Sequence, residues 1–522
     1  MKTKYDAVIV GSGHNGLVAA AYLSAAGLSV LVLEKNETLG GATASARVFP
    51  DYDAWLSRYS YLVSLLPPKI VNDLQLNFAT RRRRIASFTH YLDDQASPRG
   101  LLISNVDEAA SRASIERLSD NAQDWQGYQR LLALESSIAN VAWPSLLQPL
   151  RSRSQFRQTL AGADQREAWE AFVERPLGEA IERHVNHDVL RGLLLTDAKI
   201  GVSTHPHDES LLQNRCFLYH VIGQGTGEWR VPVGGMRTLV DALVDRGRSL
   251  GVEYMTRASA QRVVIGAEQH AVSFVHEEKT RTVDAKYVLV NAGPRTFGHL
   301  MDTPYSADEA DEGSVVKVNM LLRRLPRLKT TDASPVDAFT GSFHVDEEYE
   351  AMGKSYQQSR EGKLPDRPPF EIYCHTLTDP SILAPELASQ GFHTLTLFGL
   401  DMPYRLFTVD HDARRDELLR RYIAAMDEIC DEPFADCLAT ANDGTPCIEI
   451  KTPQDLERDV DLDQGNIFHN SPSWFFTDDE AKVEKWGVET QFDRVFIAGS
   501  SAARGGAVSG IPGHNAAMAI LA

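Results

Sequence analysis

The stretch from Tyr5 to Gly41 constrains this chain more than any other. An apolar run from Ala7 to Val10 predicts a buried parallel strand, since a strand covered on both faces reads as continuous apolar residues. Gly11, Gly13 and Gly16 follow. Leu17 to Ala26 is a run of good helix formers, and Ser29 to Leu33 is a second apolar strand that ends on Glu34. A strand, glycine turn, helix and strand in this register predict a dinucleotide cradle. Gly11 permits the tight turn, Gly13 lets a pyrophosphate approach the backbone, and Gly16 lets the helix pack on the strand. The helix N-terminus offers unpaired N–H groups and a partial positive charge to phosphates. Glu34 accepts from both ribose hydroxyls and repels a 2′-phosphate, which disfavours an NADP-type adenosine.

A second glycine pair, Gly40–Gly41, stands six residues past that acid. The backbone must again come close to something there. NAD gives the pair no partner, whereas FAD runs on beyond its pyrophosphate. The spacing narrows the cofactor to FAD.

At 522 residues the chain exceeds one ordinary domain. Its formal net charge of −18 argues against nucleic acid and anionic membrane surfaces as partners, because both need a positive field. A small-molecule substrate is expected instead. No apolar run is long enough to span a bilayer, and Asp6, Gly11, Gly13, His14 and Asn15 interrupt the apolar start, so no secretion signal is expected. Cys216, Cys374, Cys430, Cys437 and Cys447 are odd in number and lack a CxxC spacing, which predicts reduced thiols in a cytoplasmic protein. Neither they nor the polar loop His205-Pro206-His207-Asp208 predict a metal.

The composition shifts along the chain. Arg81 to Arg84 predict a solvated strand edge or charge-paired surface, with anion or partner binding as the alternative. From about Asp107 to Leu195 apolar residues recur at three and four, which predicts a helical cap. Strand and helix alternation returns from Val231 to Pro294, with Ala292 at the end of a buried strand. Val315 to Arg323, Phe370 to His375 and His393 to Gly399 predict strands of a second, mixed sheet, with one long amphipathic helix from Asp412 to Ile429. The expected fold class is α/β: a Rossmann-type FAD-binding domain (1–80, 230–300 and 481–522), an inserted mixed-sheet substrate domain of α+β character (81–106 and 301–480) and a helical cap (107–229). Near the C-terminus, Arg494 to Leu521 predicts a strand, a loop with Gly499, Gly505, Gly506, Gly510 and Gly513, and a terminal helix whose N-terminus faces the ligand.

Four blocks, Gly11–Gly41, Arg58–Pro68, Pro232–Met236 and Phe496–Ala517, resemble the phytoene-desaturase-like branch of the FAD-dependent amine-oxidase and desaturase superfamily. Within it, the run SRYSYLVSLLPP is similar to the pyridine-nucleotide-disulfide-oxidoreductase-domain-like relatives of phytoene desaturase. The resemblance implies pyrophosphate contacts from Gly11, Gly13, His14, Asn15 and Gly16, and adenosine contacts from Glu34, Lys35 and Ala260. It implies that Gly40, Gly41, Ala42, Ala292, Gly499, Ser500, Gly510, Ile511 and Asn515 surround the ribityl chain and flavin. It also implies an oxidoreductase, either a dehydrogenase or desaturase or an oxidase, that moves hydride from a C–C or C–N bond to flavin N5, with O₂, a quinone or another acceptor. Redox-neutral isomerisation on reduced flavin and a non-catalytic flavin-binding role are the alternatives. Arg504 and His514 in the last block and His220, beside Tyr219 and Trp229, are the candidate catalytic residues. Arg504 offers a cation for an anionic or carbonyl substrate, or is a salt-bridged loop arginine. Membrane contact is the minor case, and oligomeric state is left open.

Overall fold

The computed structural model describes residues 2–119, 122–306 and 312–522. β1 (Lys4–Val10), α1 (His14–Ala25) and β2 (Val30–Leu33) form the first unit. The two strands run parallel with Ala7 opposite Val30, and α1 is buried over nearly its whole length. The chain then leaves for a hairpin, β3 (Ile85–Leu92) and β4 (Pro98–Ser104). A helical layer follows, which includes α2 (Ala122–Ala142), α3 (Asp188–Leu195) and α4 (Leu212–Val221). Leu131, Leu134 and Ile138 make an apolar stripe on α2 that is buried with Val189, Leu190 and Phe217 from the other two.

α5 (Arg237–Ser249) brings the chain back to the first sheet through β5 (Glu253–Met255), β6 (Ala258–Val264), β7 (His270–His276) and β8 (Lys279–Val290). The strand order is β6–β7–β8–β1–β2–β5. β8, β1, β2 and β5 run parallel to one another, and β6 and β7 form an antiparallel extension on one edge. The central strands therefore end together, at Val10, Leu33 and Val290. In open parallel sheets this carboxyl edge is where ligands bind.

The second sheet combines β3 and β4 with β9 (Val316–Leu322), β10 (Ser342–Val345), β11 (Phe370–Tyr373), β12 (His393–Gly399) and β13 (Ile448–Lys451). Its order is β13–β9–β12–β11–β10–β3–β4, antiparallel except where β10 meets β3. A helix, α6 (His411–Ile429), covers it with Leu418, Tyr422 and Met426. Finally β14 (Val495–Ile497) adds alongside β8, and α7 (Ile511–Leu521) packs against α1. That last contact depends on Gly513: a Cβ there would lie 1.9 Å from the Asn15 carbonyl oxygen.

All five cysteines are buried and free. Among the described residues no helix is long and apolar enough to cross a membrane.

Candidate active site and cofactor cleft

The carboxyl edge of the first sheet opens into a cavity of about 1410 Å³ that extends to the second sheet and the helical layer. A single small ligand usually occupies about 300–1,000 Å³, so this cavity has room for a dinucleotide and a second molecule. Gly11, Gly13, His14, Asn15, Glu34 and Lys35 line it, as do Gly41, Ala42, Ala260, Ala292 and Ser500.

This end fits FAD. α1 begins with no side-chain cap, which leaves its first N–H groups to an external acceptor. The Asn15 Oδ1 is buried without a partner. Glu34 is buried, and its Oε2 accepts from the Ser12 N–H (3.0 Å) and hydroxyl (2.6 Å), while Oε1 accepts from the Asn36 N–H (2.9 Å). A carboxylate has about four acceptor sites, so capacity remains for ribose hydroxyls. The backbone of Gly11 has φ +92°, and a Cβ on it would stand 2.4 Å from the Asn291 carbonyl oxygen.

Two residues tie the cradle together. Asn291, just past β8, donates from Nδ2 to the carbonyls of Gly11 (3.2 Å) and Gly13 (3.1 Å). Sequence reasoning passed over it in favour of its neighbour Ala292; an Asn at the end of an apolar strand was the available signal. His14 joins three segments. Its Nδ1 meets the Thr43 hydroxyl (3.0 Å), and its Nε2 accepts from the Ser509 N–H (3.3 Å). That acceptance puts the proton on Nδ1, and burial pushes the imidazole pKa down to about 4, so the ring is neutral.

Several expected residues do not reach the cavity. Gly16 packs on Gly11 and the Asn291 side chain, Gly499 packs on Asn291, and Gly40 packs on Val240. These three shape the wall from behind. Gly510 lies against Val18, Ile70 and Leu66, and Ile511 is buried in an apolar core. Asn515 donates to the Leu146 carbonyl (3.1 Å) and pairs with His514 Nδ1 (2.9 Å). The C-terminal block meets the cavity through Ser500, Ala507 and Val508 instead of the first turn of α7. The close packing of α7 on α1 turns that helix start inward.

Two catalytic expectations are corrected, His514 by that packing and Arg504 by its own backbone partners. His514 is buried edge-on to Tyr22 (5.2 Å) and beside Trp486 (6.1 Å), away from the cavity. Arg504 is buried and donates to the carbonyls of Ser145 (3.0 Å), Gln148 (2.7 Å) and Trp486 (2.8 Å). It is a clamp between loops, held by backbone carbonyls with no salt bridge among the described residues, and it does not line the cavity.

His220 does line it, together with Tyr219 and Trp229. His220 Nδ1 bonds the Cys216 carbonyl one helical turn back (2.8 Å), which places the proton there and leaves Nε2 as the basic nitrogen. Burial holds its pKa below the usual value. The four arginines divide. Arg81 pairs with Asp379, Arg82 with Glu228 and Arg84 with Asp337, as expected of a paired surface. Arg83 is buried, lines the cavity, and donates to the Trp229 carbonyl (3.3 Å) and the Ser342 hydroxyl (3.2 Å).

Other ionisable residues that were not foreseen also line the cavity, among them Lys317, Glu135 and Asp197. Lys317 on β9 is buried, donates to the carbonyls of Ser57 (2.8 Å) and Tyr59 (2.7 Å), and stands 4.5 Å from the Tyr61 ring centre. Burial lowers its pKa well below the usual lysine range. Glu135 of α2 and Asp197, just past α3, carry no hydrogen bond or ion pair through their carboxyls among the described residues. Burial raises both, Glu135 to about 8 with a further push from the Asp197 charge, while His220, His344 and Arg83 work against the rise at Asp197 and Glu347 adds to it.

Comparison with known proteins agrees with this geometry. Residues 9–69 match the NAD(P)-binding Rossmann-like domain, and residues 87–433 match the flavin containing amine oxidoreductase family. An uncharacterized protein of Mycobacterium tuberculosis is 42% identical over 527 residues, covering 99% of this chain and 97% of its own length. Pyridine nucleotide-disulfide oxidoreductase domain-containing protein 2 of Rattus norvegicus is 31% identical over 564 residues, covering 100% of this chain and 94% of its own. The solved structure of putrescine oxidase bound to putrescine shares the fold with a TM-score of 0.55 at 15% identity, over 99% of each chain. With the dinucleotide cradle, the cavity beyond it and a family match across most of the chain, this protein belongs to the flavin-containing amine oxidoreductases and is an FAD-dependent oxidoreductase.

Proposed function

We propose that the protein oxidises the C–N bond of a small cationic amine. The observation that carries this reading is the pair Glu135 and Asp197, two carboxyls that line the cavity and make no hydrogen bond or ion pair among the described residues. A buried carboxyl left unpaired is costly, and an ammonium group supplies the missing donor and charge. An apolar polyene offers neither, which favours an amine over the C–C desaturation of a carotenoid-like molecule.

Bound FAD supplies the two-electron acceptor for hydride. The chain positions the substrate and handles the proton. Glu135 and Asp197 hold the cationic end, and Tyr61 and Trp229 give an apolar surface to the carbon skeleton. Lys317 spends two N–H bonds on carbonyls, and its lowered pKa favours a free lone pair at Nζ. His220 Nε2 is a second candidate base on the cavity wall. Either accepts a proton from the substrate nitrogen, and general bases are most effective when their pKa lies near the working pH. The Gly11–Asn15 loop and Glu34 anchor the cofactor at the far end.

The test is anaerobic mixing of the purified yellow protein with primary, secondary and diamines, following loss of flavin absorbance. Bleaching by amines, weakened in E135Q and D197N through a raised KM, is the expected result. Bleaching by apolar polyenes and not by amines would overturn the reading. Hydrogen peroxide formed in air identifies O₂ as the acceptor; turnover only with an added quinone identifies a dehydrogenase.

A further inference from the structure

A second cluster sits where the cavity meets the second sheet. His344 on β10 and Glu371 on β11 are direct cross-strand partners, and such pairs hold their side chains side by side on one face. Both line the cavity. Asp346 has φ +56°, and the turn it makes brings Glu347 back beside His344, with Nδ1 to Oε2 at 2.8 Å. One nitrogen or oxygen from each of the three lies within 4.8 Å of the others. His344, Glu347 and Glu371 are at most 3% exposed.

We propose that these three residues bind one divalent transition-metal cation. Two buried atoms of the cluster, Glu347 Oε1 and His344 Nε2, have no hydrogen-bond partner among the described residues. Buried orphans of this kind call for an ion or an ordered water. A cation gives the carboxylate oxygen its partner, while one imidazole nitrogen coordinates and the other keeps the proton. Two carboxylates balance a charge of 2+, so the filled site is neutral and the desolvation cost of two adjacent buried anions is removed. Arg83 and Asp197 also stand near Glu371, the first favouring and the second opposing its charge.

Outer partners are also in place. The Thr196 hydroxyl donates to Glu347 Oε2, and the Tyr373 hydroxyl donates to Glu371 Oε2. Hydrogen bonds of this kind orient ligating carboxylates. Ligands about 2.1 Å from a shared ion stand about 3–4 Å apart, so closing the cluster needs side-chain movement of about an ångström. One imidazole with two carboxylates suits Zn²⁺, Fe²⁺ or Mn²⁺ better than the all-oxygen preference of Mg²⁺ or Ca²⁺.

The test uses the full-length flavoprotein. It is dialysed against EDTA and then against micromolar Zn²⁺ or Mn²⁺, and metal per chain is measured by mass spectrometry beside FAD per chain from absorbance. The expected result is one equivalent in the wild type, lost in H344A and bound at least about tenfold more weakly in E371Q, with FAD content unchanged in both. No stoichiometric metal in the wild type would overturn the site and leave a water as the partner of the orphans. Equal metal in all three proteins would also overturn it, by placing the ion elsewhere. Neither readout depends on turnover, so the outcome is independent of the amine-oxidation reading.

Discussion

Replacing Asn291 should loosen the cofactor more than the fold. Its two hydrogen bonds, to the Gly11 carbonyl at 3.2 Å and the Gly13 carbonyl at 3.1 Å, set the curvature of the loop that receives the pyrophosphate. Each such bond contributes about 0.5–1.5 kcal/mol net. Asn291→Ala therefore forfeits about 1–3 kcal/mol of loop order, which raises the FAD dissociation constant about 5- to 150-fold if it is expressed wholly in binding. Asn291→Asp should be worse, although it keeps the side-chain shape. It sets carboxylate oxygens against two carbonyl oxygens, and the repulsion adds to the lost bonds. The assay is a titration of apoprotein with FAD, read by quenching of flavin fluorescence, with thermal unfolding of the apoproteins as the control for folding. The order expected is wild type, then alanine, then aspartate. Two folded variants that bind FAD as tightly as the wild type would refute the reasoning, and an aspartate variant tighter than alanine would refute the repulsion argument.

Three further perturbations separate roles. Glu34→Gln removes the charge that receives Ser12 and Asn36 N–H groups and turns one acceptor into a donor; FAD affinity should fall about tenfold or more, bonds to a charged group being worth about 1.5–3 kcal/mol. Arg504→Met deletes three bonds to buried carbonyls and should cost about 3 kcal/mol or more of stability, seen as a lower Tm with KM for substrate unchanged. For His14, the folded pKa near 4 lies below the ordinary 6.5, so the unfolded chain binds more protons between these values. The stability that keeps this ring neutral is complete above about pH 6.5 and is lost as pH falls towards 4, up to about 3 kcal/mol; His14→Gln should flatten that part of the stability profile measured by denaturant unfolding.

The first unit was readable because its signals are local. Ala7–Val10, the glycines, the helix and Ser29–Glu34 lie within one contiguous stretch, and backbone sterics alone assign each glycine a task. The second sheet was also readable in outline, since Val316–Leu322, Phe370–Tyr373 and His393–Gly399 are mostly apolar or β-branched stretches of strand length. The C-terminal block misled where contacts between distant helices decide direction. Nothing in Gly510–Asn515 states that α7 packs on α1 closely enough to leave no space for a Cβ at Gly513. That packing turns His514 and Asn515 inward and leaves the preceding loop to face the ligand.

The substrate end was hidden by dispersion, yet its residues share a mark that periodicity exposes. Lys317 is the one charged residue of a strand that is buried on both faces. Glu135 sits one position past Leu134, beside the stripe formed by Leu131, Leu134 and Ile138 on α2. Arg83, two positions before the buried Ile85, is the buried arginine of its run. Glu371 lies inside a four-residue strand with no exposed position. An ionisable side chain in such a place opposes its own burial, so the fold keeps it only where a ligand, an ion or a fixed dipole answers it. Glycine spacing locates the cofactor because the cofactor touches backbone. The substrate touches side chains, and the charged residues that break an apolar pattern are the sequence trace of where it does so.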